Sequence, residues 1–498
     1  MNDPAWGAVA ADDQTSVVAW SAEPGSGTLL VGQSNYKGGR VEGESVARYE
    51  VQYGEVKAAA GLGWMETSPG PVVVADLDGD GDLDVFVGGR VKGGKYPEGG
   101  GSRVYRNERG QYTLDEENTR VVVGSGMVSG AVWTDLDGDG YPELVLACEW
   151  GPVRVYANHG GKLEEAGGKW GLGKTRGWWT GVTAGDLDGD GRMDLVVGNW
   201  GLNHGQARRQ PRMYSGDVDG NGTWDVLEAE WDAETGKEVP RRDWATVGRA
   251  IPWVQERYGS YRAYGEAGME AIYGEKLKGL RKDTVETMES TVFLNRGGRF
   301  EGVAMPVEAQ MAPVFGVNVG DYDGDGKEDV FASQNYFGTD VESGRLDAGR
   351  GLWMRGDGKG GLEAVGGEKS GVKVYGEQRG SALGDYDGDG RVDLVVSQNG
   401  GETKLYHNVG GRAGLRVRLV GGVGNMEGIG AVERLGGGPA REVHGGSGYW
   451  SQDSAVQVLH GKGTLEVAWP GGRRTKAEVP AGAREVRMSI TGELEVVK

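Results

Sequence analysis

The stretch VWTDLDGDGYPELVLA (Val132–Ala147) places an acidic loop between two apolar runs. Carboxylates alternate with small residues at the first, third and fifth positions of the loop, and a glycine at the sixth position permits a sharp turn. So many neighbouring carboxylates would repel one another unless a cation lay among them, and a ligand set made only of oxygen atoms favours calcium. The stretch therefore predicts a calcium-binding turn between two β-strands.

The loop Asp135–Glu143 has five further copies in the chain. They are DLDGDGDLD (Asp76–Asp84), DLDGDGRMD (Asp186–Asp194), DVDGNGTWD (Asp217–Asp225), DYDGDGKED (Asp321–Asp329) and DYDGDGRVD (Asp385–Asp393). Up to position nine each copy resembles an EF-hand loop, but the β-branched residues that follow most copies are typical of strands. We number the six acidic loops 1 to 6 along the chain. We predict one Ca²⁺ in each, up to six in all.

The predicted ligands of each loop are the side chains at positions one, three, five and nine, and the backbone carbonyl at position seven. They are Asp76, Asp78, Asp80, Asp82 and Asp84; Asp135, Asp137, Asp139, Tyr141 and Glu143; Asp186, Asp188, Asp190, Arg192 and Asp194; Asp217, Asp219, Asn221, Thr223 and Asp225; Asp321, Asp323, Asp325, Lys327 and Asp329; and Asp385, Asp387, Asp389, Arg391 and Asp393.

Each acidic loop is the centre of a repeated unit. An apolar strand precedes the loop and another follows it, and in most units two weaker strands come next, around a turn of the NxG type. Four strands per repeat is the content of a propeller blade. The segment Ser16–Asn35 aligns with these units but has lost the ligands, which brings the count to seven. The sequence therefore predicts an all-β fold, a seven-bladed β-propeller over residues 1–412.

Two segments depart from this pattern. Loops 3 and 4 begin only 31 residues apart, whereas loops 4 and 5 begin 104 residues apart. The excess, about residues 231–290, has helical periodicity and predicts a helical insertion. Residues 413–498 contain alternating strands without acidic loops and predict a small C-terminal β domain.

The six loops with their flanking strands resemble the FG-GAP or VCBS repeats of integrin α-like seven-bladed propellers. The tail resembles the ASPIC/UnbV domain, through NMEGIGAVERL (Asn425–Leu435), GGSGYWSQ (Gly445–Gln452) and VAWPGGR (Val467–Arg473). In this order the two parts resemble the cartilage acidic protein-like family over nearly the whole chain. The resemblance implies a calcium-stabilised extracellular propeller and supplies no catalytic residues. The first unit without ligands and the segment VLHGKG (Val458–Gly463) depart from the family pattern.

Chain direction predicts where a ligand would bind. Each acidic loop joins the end of one strand to the start of the next, so the start of the first strand and the end of the second lie together on the opposite face. The aromatic, amide and basic residues there predict a surface for a glycan or a protein. The predicted ligand-binding residues are Trp178, Trp179, Asn199, Trp200, Gln334, Asn335, Arg379, Gln398 and Asn399. The insertion leaves on the same side, which predicts a lid carrying Trp244, Trp253, Tyr258 and Tyr261, although these residues could equally pack the insertion against the blades.

Composition narrows the functional classes. The formal net charge of −20 is partly accounted for by predicted metal sites and argues against a nucleic-acid partner. The chain has no apolar run long enough to span a membrane. Weak calcium loops suit an extracellular or periplasmic location, although the N-terminal residues MNDPAWGAVAADD do not resemble a signal peptide. The oligomeric state is not predicted.

Catalytic motifs are scarce, because the five histidines have no zinc spacing and no nucleophile elbow or Walker loop is present. The leading prediction is a non-catalytic binding or adhesion protein. One alternative is a polysaccharide lyase or hydrolase in which Arg379, Glu149 or lid residues would act on an acidic sugar. Another is a scaffold in secondary-metabolite assembly, indicated only by the resemblance of the tail.

Overall fold

The computed structural model describes residues 12–36, 42–205, 207, 209–339 and 343–498. Strands account for 43% of the chain and helices for 10%, which confirms the all-β prediction. The N-terminal residues considered for a signal peptide lie almost entirely outside the described part. No helix among the described residues has the length and apolar character needed to cross a bilayer.

Six antiparallel sheets follow one another along the first 406 residues, each built from consecutive strands except where an insertion interrupts sheet 4. Their strands are Gln14–Trp20, Ser26–Gln33, Glu44–Gln52 and Glu55–Gly63 in sheet 1; Thr67–Ala75, Asp84–Lys92, Arg103–Glu108 and Gln111–Leu114 in sheet 2; Met127–Thr134, Glu143–Gly151, Arg154–Asn158 and Leu163–Glu165, with the short strand Gly177–Trp178, in sheet 3; Val182–Gly185, Asp194–Val197, Thr291–Asn295 and Phe300–Ala304 in sheet 4; Val314–Gly320, Asp329–Gln334, Leu352–Gly356 and Leu362–Val365 in sheet 5; and Glu377–Gly384, Asp393–Asn399 and Lys404–Tyr406 in sheet 6.

The sheets are arranged like the blades of a propeller. The first strand of each sheet contacts the first strand of the next, from sheet 1 through to sheet 6. Apolar side chains from neighbouring sheets share a core between them. Phe86 of sheet 2, for example, contacts Trp133 of sheet 3 edge to face, with ring centroids 6.5 Å apart. Burial of such large rings on both faces explains why the first strands of the sheets, which we call the inner strands, are nearly continuous apolar runs.

Loop 4 does not belong to a blade of its own. The strand Asp194–Val197 of sheet 4 pairs with Thr291–Asn295, and a separate sheet containing loop 4 lies between them in sequence. Because loop 4 follows loop 3 by only 31 residues, there is too little chain to complete a four-stranded blade before it. The described residues therefore contain six sheets in the propeller-like series, where the sequence predicted seven, and the inserted part is longer than residues 231–290.

The inserted unit combines this sheet with short helices around its own apolar core. Its strands are Arg212–Gly216, Asp225–Asp232, Lys237–Pro240 and Arg281–Thr284, its α-helices are Trp244–Ala250, Pro252–Arg257, Tyr261–Gly265 and Met269–Tyr273, and its 3₁₀ helix is Gly274–Gly279. The remaining helices of the six-sheet region are short, namely Glu116–Val122, Gly367–Ser370 and the 3₁₀ helix Val307–Gln310.

The C-terminal unit contains two four-stranded sheets. Its strands are Leu415–Val420, Gln457–Leu459, Glu485–Ser489 and Leu494–Val496 in one sheet, and Val432–Leu435, Arg441–Glu442, Thr464–Ala468 and Arg474–Glu478 in the other, with the 3₁₀ helix Pro470–Gly472. Its core is continuous with that of sheets 1 and 2, since Trp469 and Leu419 belong to the same buried cluster as Trp20 and Val74. The unit is thus packed on the propeller-like region and not merely tethered to it.

The C-terminal unit covers the ends of the sheets that carry the acidic loops. The amide of Ala440 donates to Asp186 in loop 3 at 2.9 Å, and the amide of Gly471 donates to the carbonyl of Gly140 in loop 2 at 2.9 Å. Next to loop 5, Arg441 forms a buried bidentate pair with Glu328 at 2.7 and 3.0 Å. Loops 2, 3 and 5 therefore lie between two packed units, which explains why several of their carboxylates are buried.

A segment of the C-terminal unit, Gly445–Ser454, runs along the inner strands of the sheets, and we call it the axial segment. It is hydrogen-bonded to the first strand of every one of the six sheets. The contacted residues, in sheet order, are Ala19 through Gln452, Val74 through Gly445, Ser129 through Trp450, Val182 through Gly448, Asn318 through Asp453, and Leu383 through Asp453 and Ser454. One continuous segment thus joins the inner strands of all six sheets.

The glycines of the axial segment explain how it fits there. A Cβ atom on Gly445 would lie 2.5 Å from both the carbonyl oxygen and a methyl group of Val74. Gly448 has φ of +61°, and a Cβ atom on it would lie 2.9 Å from the carbonyl oxygen of Val317. Only glycine allows such close approach of two backbones together with a left-handed conformation. The sequence GGSG (Gly445–Gly448) is therefore required for the axial segment to pack against the inner strands.

Asparagine side chains link neighbouring sheets at the loop ends. Asn158 of sheet 3 donates through Nδ2 to the carbonyl of Leu77 in loop 1, and Asn295 of sheet 4 donates to the carbonyl of Leu136 in loop 2, both at 2.9 Å. Asn408, after sheet 6, makes the same contact with Tyr322 in loop 5 at 2.7 Å. The NxG turns seen in the sequence thus supply the amides that hold each of these sheets to its predecessor.

Replacing Asn295 with alanine is expected to lower the free energy of unfolding by about 2–4 kcal/mol. Asn295 is fully buried and donates to the carbonyls of Leu136 and Met193, which would be left unsatisfied. Urea denaturation followed by circular dichroism measures the change. The exposed Gln111→Ala is the control, expected within about 0.5 kcal/mol of the parent chain. A similar small effect of Asn295→Ala would contradict the proposed role of the link.

Candidate functional site

The six acidic loops share one internal hydrogen-bond pattern. The carboxylate at position one accepts the amide of position six, and the carboxylate at position nine accepts the amide of position two. In loop 1 these bonds join Asp76 to Gly81 at 3.1 Å and Asp84 to Leu77 at 3.3 Å. The amide of position seven donates to the side chain at position five in every loop. The backbone therefore turns the side-chain oxygens toward a common centre.

The spacing of the oxygens suits a divalent ion. Three ligand atoms from positions one, three and nine lie within 4.8 Å of one another in loops 2, 3 and 4, and three from positions one, three and five do so in loop 1. In loop 3 one carboxylate oxygen of Asp186 and one of Asp188 are buried and have no hydrogen-bond partner. Unpartnered buried carboxylate oxygens are costly unless a cation is present. The donor set fits calcium, which prefers six to eight oxygen ligands.

The raised pKa values of the buried loop carboxyl groups also indicate a place for a cation. Burial raises the pKa of Asp84 and of Asp194 to about 7. Burial, together with Asp137 and Asp135, raises the pKa of Glu143 to about 9. Carboxyl groups in such surroundings resist ionisation, and a divalent ion at their centre would favour the charged form.

Basic side chains lie beside several loops. Arg106 pairs with Asp78 in loop 1 at 2.9 Å, Arg355 pairs with Asp323 in loop 5 at 2.8 Å, and His407 pairs with Asp387 in loop 6 at 2.9 Å. In the described part of the chain, the carboxylates of loops 2 and 4 form no ion pair with a basic residue. The loops thus differ in how far a protein cation already offsets their charge.

Loop 4 differs from the other loops in exposure. It lies in the inserted unit, and Asp217 is exposed, whereas Asp76, Asp186 and Asp321 are buried. Hydrogen bonds from backbone amides, first that of Gly222, hold the pKa of Asp217 below its usual value. A cation in loop 4 would therefore stabilise the inserted sheet, separately from the contact between the six sheets and the C-terminal unit.

A cavity of about 1380 Å³ lies at the other ends of the sheets. Its wall includes Arg90 and Glu149 from the ends of second strands, and Phe315 and Arg379 from the starts of first strands. Arg90 is six residues from Asp84 along one strand, which corresponds to about 20 Å. The cavity and the acidic loops are therefore on opposite faces. Its volume exceeds the ~300–1,000 Å³ common for small-molecule sites, so it can accept an extended ligand.

Six aromatic rings line the cavity in a continuous series, and the buried ring of Trp150 extends the series at one end. Successive centroids are 4.7 Å apart for Trp150 and Trp178, 4.0 Å for Trp178 and Trp200, 4.9 Å for Trp200 and Tyr336, 6.3 Å for Tyr336 and Phe315, 5.2 Å for Phe315 and Tyr449, and 4.5 Å for Tyr449 and Trp450. Tyr449 and Trp450 belong to the axial segment, so the C-terminal unit supplies one end of the series. Mutual contact between rings fixes their orientation and makes this wall rigid.

Arginine–glutamate pairs are interspersed among the rings. Arg90 donates to Glu149 through Nε at 3.0 Å and through Nη2 at 2.6 Å, and its guanidinium carbon lies 5.6 Å from the ring centre of Trp450. Arg379 pairs with Glu377, and its guanidinium carbon lies 4.1 Å from the ring centre of Phe315. The carboxylates and rings hold both guanidinium groups in defined positions at the cavity wall.

Five of the nine predicted ligand-binding residues line the cavity. They are Trp178, Trp200, Arg379, Gln398 and Asn399. Asn399 donates through Nδ2 to Glu377 at 3.0 Å, which links it to the pair formed by Arg379. The amide of Gln398 donates to the carbonyl of Glu402. The structure thus brings these residues from sheets 3, 4 and 6 to one wall.

The other four predicted ligand-binding residues are buried near the strand ends and have structural contacts. Trp179 is fully buried and donates through Nε1 to the carbonyl of Thr175 at 2.8 Å. The remaining three use their side-chain amides on backbone carbonyls, which are those of Thr287 and Glu289 for Asn199, of Glu308 for Gln334, and of Gly349 and Gly376 for Asn335. None of the four lines the cavity.

One cavity residue absent from the predicted set, Arg90, could have been found from its position in the repeat. Arg90 follows the run VFVGG at the end of a second strand, the same position that Glu149 occupies in the next sheet. Tyr449 and Trp450 had no such signal, because their place depends on the path of the axial segment. Tyr336 lies two residues after the end of the second strand of sheet 5, next to the predicted Asn335.

The predicted lid residues do not line the cavity. Trp244, Trp253 and Tyr258 pack against the core of the inserted unit, and Tyr261 contacts Trp244 with ring centroids 5.0 Å apart. The inserted unit instead contributes Glu228, with Arg241 and Arg242, to the cavity wall. The alternative, that the four aromatic residues pack the insertion against the blades, does not describe their contacts either, because these lie within the inserted unit itself.

The FG-GAP-like repeat family matches the sequence over residues 76–146 and 135–197. These ranges contain loops 1, 2 and 3 with the strands on either side. The chain carries FG-GAP-like repeats. No curated protein matches the sequence significantly.

Several solved structures resemble the fold at a low level. Rhamnogalacturonan lyase YesW is 12% identical, covering 82% of this chain and 78% of its own, with a TM-score of 0.29. A Bacillus licheniformis rhamnogalacturonan lyase gives 12% identity, 82% and 78% coverage and a TM-score of 0.28. BBS1N, solved in complex with ARL6DN, gives 9% identity, 80% and 94% coverage and a TM-score of 0.32. At such scores these similarities carry no argument about function.

Proposed function

We propose that the protein is an extracellular or periplasmic binding protein, stabilised by calcium, that recognises a glycan or a protein in the cavity opposite the acidic loops. The observation that carries this proposal is the aromatic series from Trp178 to Trp450, with arginine–glutamate pairs beside it, along a 1380 Å³ cavity. Aromatic rings next to fixed donors and acceptors are the typical composition of a recognition site. FG-GAP-like repeats are typically extracellular, which supports this location.

In this proposal the six loops hold Ca²⁺ and the six sheets are the blades of one propeller. Calcium would act structurally, by allowing buried carboxylates such as Asp194 and Glu143 to be charged while the C-terminal unit covers them. The contacts between successive first strands, and the axial segment that touches all six, support the ring. Membership of the cartilage acidic protein-like family, including an ASPIC/UnbV domain, stays a prediction.

A panel of immobilised glycans and extracellular proteins tests the function. We expect retention of at least one glycan or protein, with no growth of ultraviolet absorbance from unsaturated sugar ends. Trp200→Ala is expected to weaken retention by about tenfold or more, because it removes a ring from the middle of the series. Trp231→Ala, a partly exposed tryptophan of the inserted sheet that does not line the cavity, is the matched control.

Other outcomes of the panel have defined meanings. New unsaturated ends would establish the lyase alternative in place of simple binding. Retention that is unaffected by Trp200→Ala would place recognition outside the cavity. Absence of any retention by the folded, calcium-saturated chain would contradict the proposed function.

A further inference from the structure

Two cationic groups flank the floor of the cavity. The floor consists of Phe315, Tyr449 and Trp450, whose rings are in contact. The guanidinium of Arg379 lies over Phe315 at one end, and that of Arg90 lies over Trp450 at the other. Their side chains are 20% and 31% exposed, so both are held largely out of bulk water. Charged donors at such positions interact more strongly with a ligand than exposed ones.

Both arginines keep hydrogen-bond donors that the described residues do not use. Arg90 donates hydrogen bonds through Nε and Nη2 to one oxygen of Glu149, and its Nη1 makes no such bond. Arg379 donates through Nη1 to the carbonyls of Asn335 and Gln378 and through Nη2 to Glu377. Its Nε makes no such bond. The arrangement of each arginine in the folded chain is thus already fixed, and at least one donor nitrogen of each remains for a ligand.

Two tyrosine hydroxyls add to these donors. Tyr336 and Tyr449 line the cavity, and neither hydroxyl is hydrogen-bonded to another described residue. Burial raises the pKa of both hydroxyls, although Arg379 acts in the opposite direction on each. Both are therefore protonated at neutral pH and can donate.

One acceptor lies among the donors. Glu149 accepts both bonds from Arg90 on Oε1, so Oε2 is left. A simple inorganic anion would use the donors and would be repelled by this second oxygen. A sugar residue with an acidic group and free hydroxyls matches both kinds of group.

We infer that Arg90, Arg379, Tyr336, Tyr449 and Glu149 form a subsite for an anionic sugar residue, with its carboxylate or sulfate received by the arginines and tyrosines and a ring hydroxyl received by Glu149. The inference rests on the proposed function, which places the ligand in this cavity. The chain has a formal net charge of −20, so a polyanion gains nothing from general attraction and its retention depends on such a site.

Pairs of sugars that differ only at the sixth carbon provide the test. Titration of the full chain in calcium, followed by ligand-observed NMR, compares galacturonate with galactose and glucuronate with glucose. At least one acid is expected to bind ten times or more tightly than its neutral parent. Galactose 6-sulfate in place of a uronate, with the same dependence on arginine, would support the subsite and identify sulfate as the anion.

Variants locate the binding. Arg90→Gln and Arg379→Gln are each expected to weaken binding of the acidic sugar by tenfold or more, and Tyr449→Phe, which keeps the ring, by about fivefold. Arg120→Gln, an exposed arginine that pairs with Glu116 on a surface helix, is the control and should change nothing. Melting temperatures of all variants show whether the fold is kept, and Tyr449→Phe tests the site even if an arginine variant unfolds.

The results that overturn the inference can be separated from failure of the proposed function. Equal affinity for an acid and its neutral parent, or no binding of any acidic sugar, would overturn the subsite. If a neutral glycan is nevertheless retained and Trp200→Ala abolishes that retention, the proposed function stands without the subsite.

Discussion

Removing calcium with a chelator is expected to lower the melting temperature by on the order of 10 °C or more, compared with the chain in about 1 mM calcium. Binding at 100 times the dissociation constant stabilises a folded protein by about 2.7 kcal/mol for each site, and up to six sites would contribute under our proposal. Buried carboxylates such as those of Asp194 and Glu143 add to the effect, since without a cation they resist ionisation. Differential scanning calorimetry across a calcium titration measures the shift.

Variants of two loops refine this expectation. Asp186→Ala, in buried loop 3, removes a ligand and the acceptor of the Ala440 amide, so it should lower the melting temperature of the whole chain. Asp217→Ala, in exposed loop 4, should affect mainly the inserted unit and lower the main transition less. Glu234→Gln, in an exposed turn outside the loops, serves as the control. A melting temperature indifferent to calcium would show that the loops are not the sites we propose.

Gly445→Val is expected to destabilise the chain by about 3 kcal/mol or more. The first added carbon atom would lie 2.5 Å from the Val74 backbone oxygen, and neither strand can move away without breaking contacts to its neighbours. Because the axial segment also forms the cavity floor, loss of ligand retention should accompany the loss of stability. Urea denaturation and near-ultraviolet circular dichroism of the buried aromatic residues measure the two effects.

A glycine elsewhere in the same unit controls for the substitution. Gly422 has an ordinary backbone conformation and no atom within 4 Å of an added Cβ, so Gly422→Ala should be nearly neutral. Gly448→Ala is expected to fall between the two, because it introduces strain at φ of +61° with a contact of 2.9 Å. Full stability of the Gly445 variant would contradict the close packing of the axial segment against Val74.

The local structure was well predicted from the sequence, because it is encoded in short repeats. The acidic turns, the strands beside them and the face opposite the loops follow from a nonapeptide and from chain direction. The separate sheet around loop 4 was not predicted, because strand pairing between Asp194–Val197 and Thr291–Asn295 crosses almost 100 residues and leaves no local pattern.

The candidate site was predicted in part for a related reason. Positions at strand ends could be found, but their side-chain directions could not. Trp178 faces the cavity while its neighbour Trp179 is buried in the core. Tyr449 and Trp450 were seen only as part of a family motif, since their role depends on a contact between units far apart in sequence. The sequence pattern contains the local preferences of these residues, but it does not show which distant segments pair with one another.

The axial segment has a consequence for biosynthesis. During translation the six sheets emerge first, and the residues that join their inner strands, Gly445–Ser454, emerge only after the last strand of sheet 6, Lys404–Tyr406. A nascent or truncated chain would expose backbone groups of the inner strands that lack their hydrogen-bond partners, and chaperones and proteases can detect such groups. Synthesis of the axial segment and completion of the fold are thereby coupled, so that a chain that stops before Gly445 would be expected to yield no partly working product.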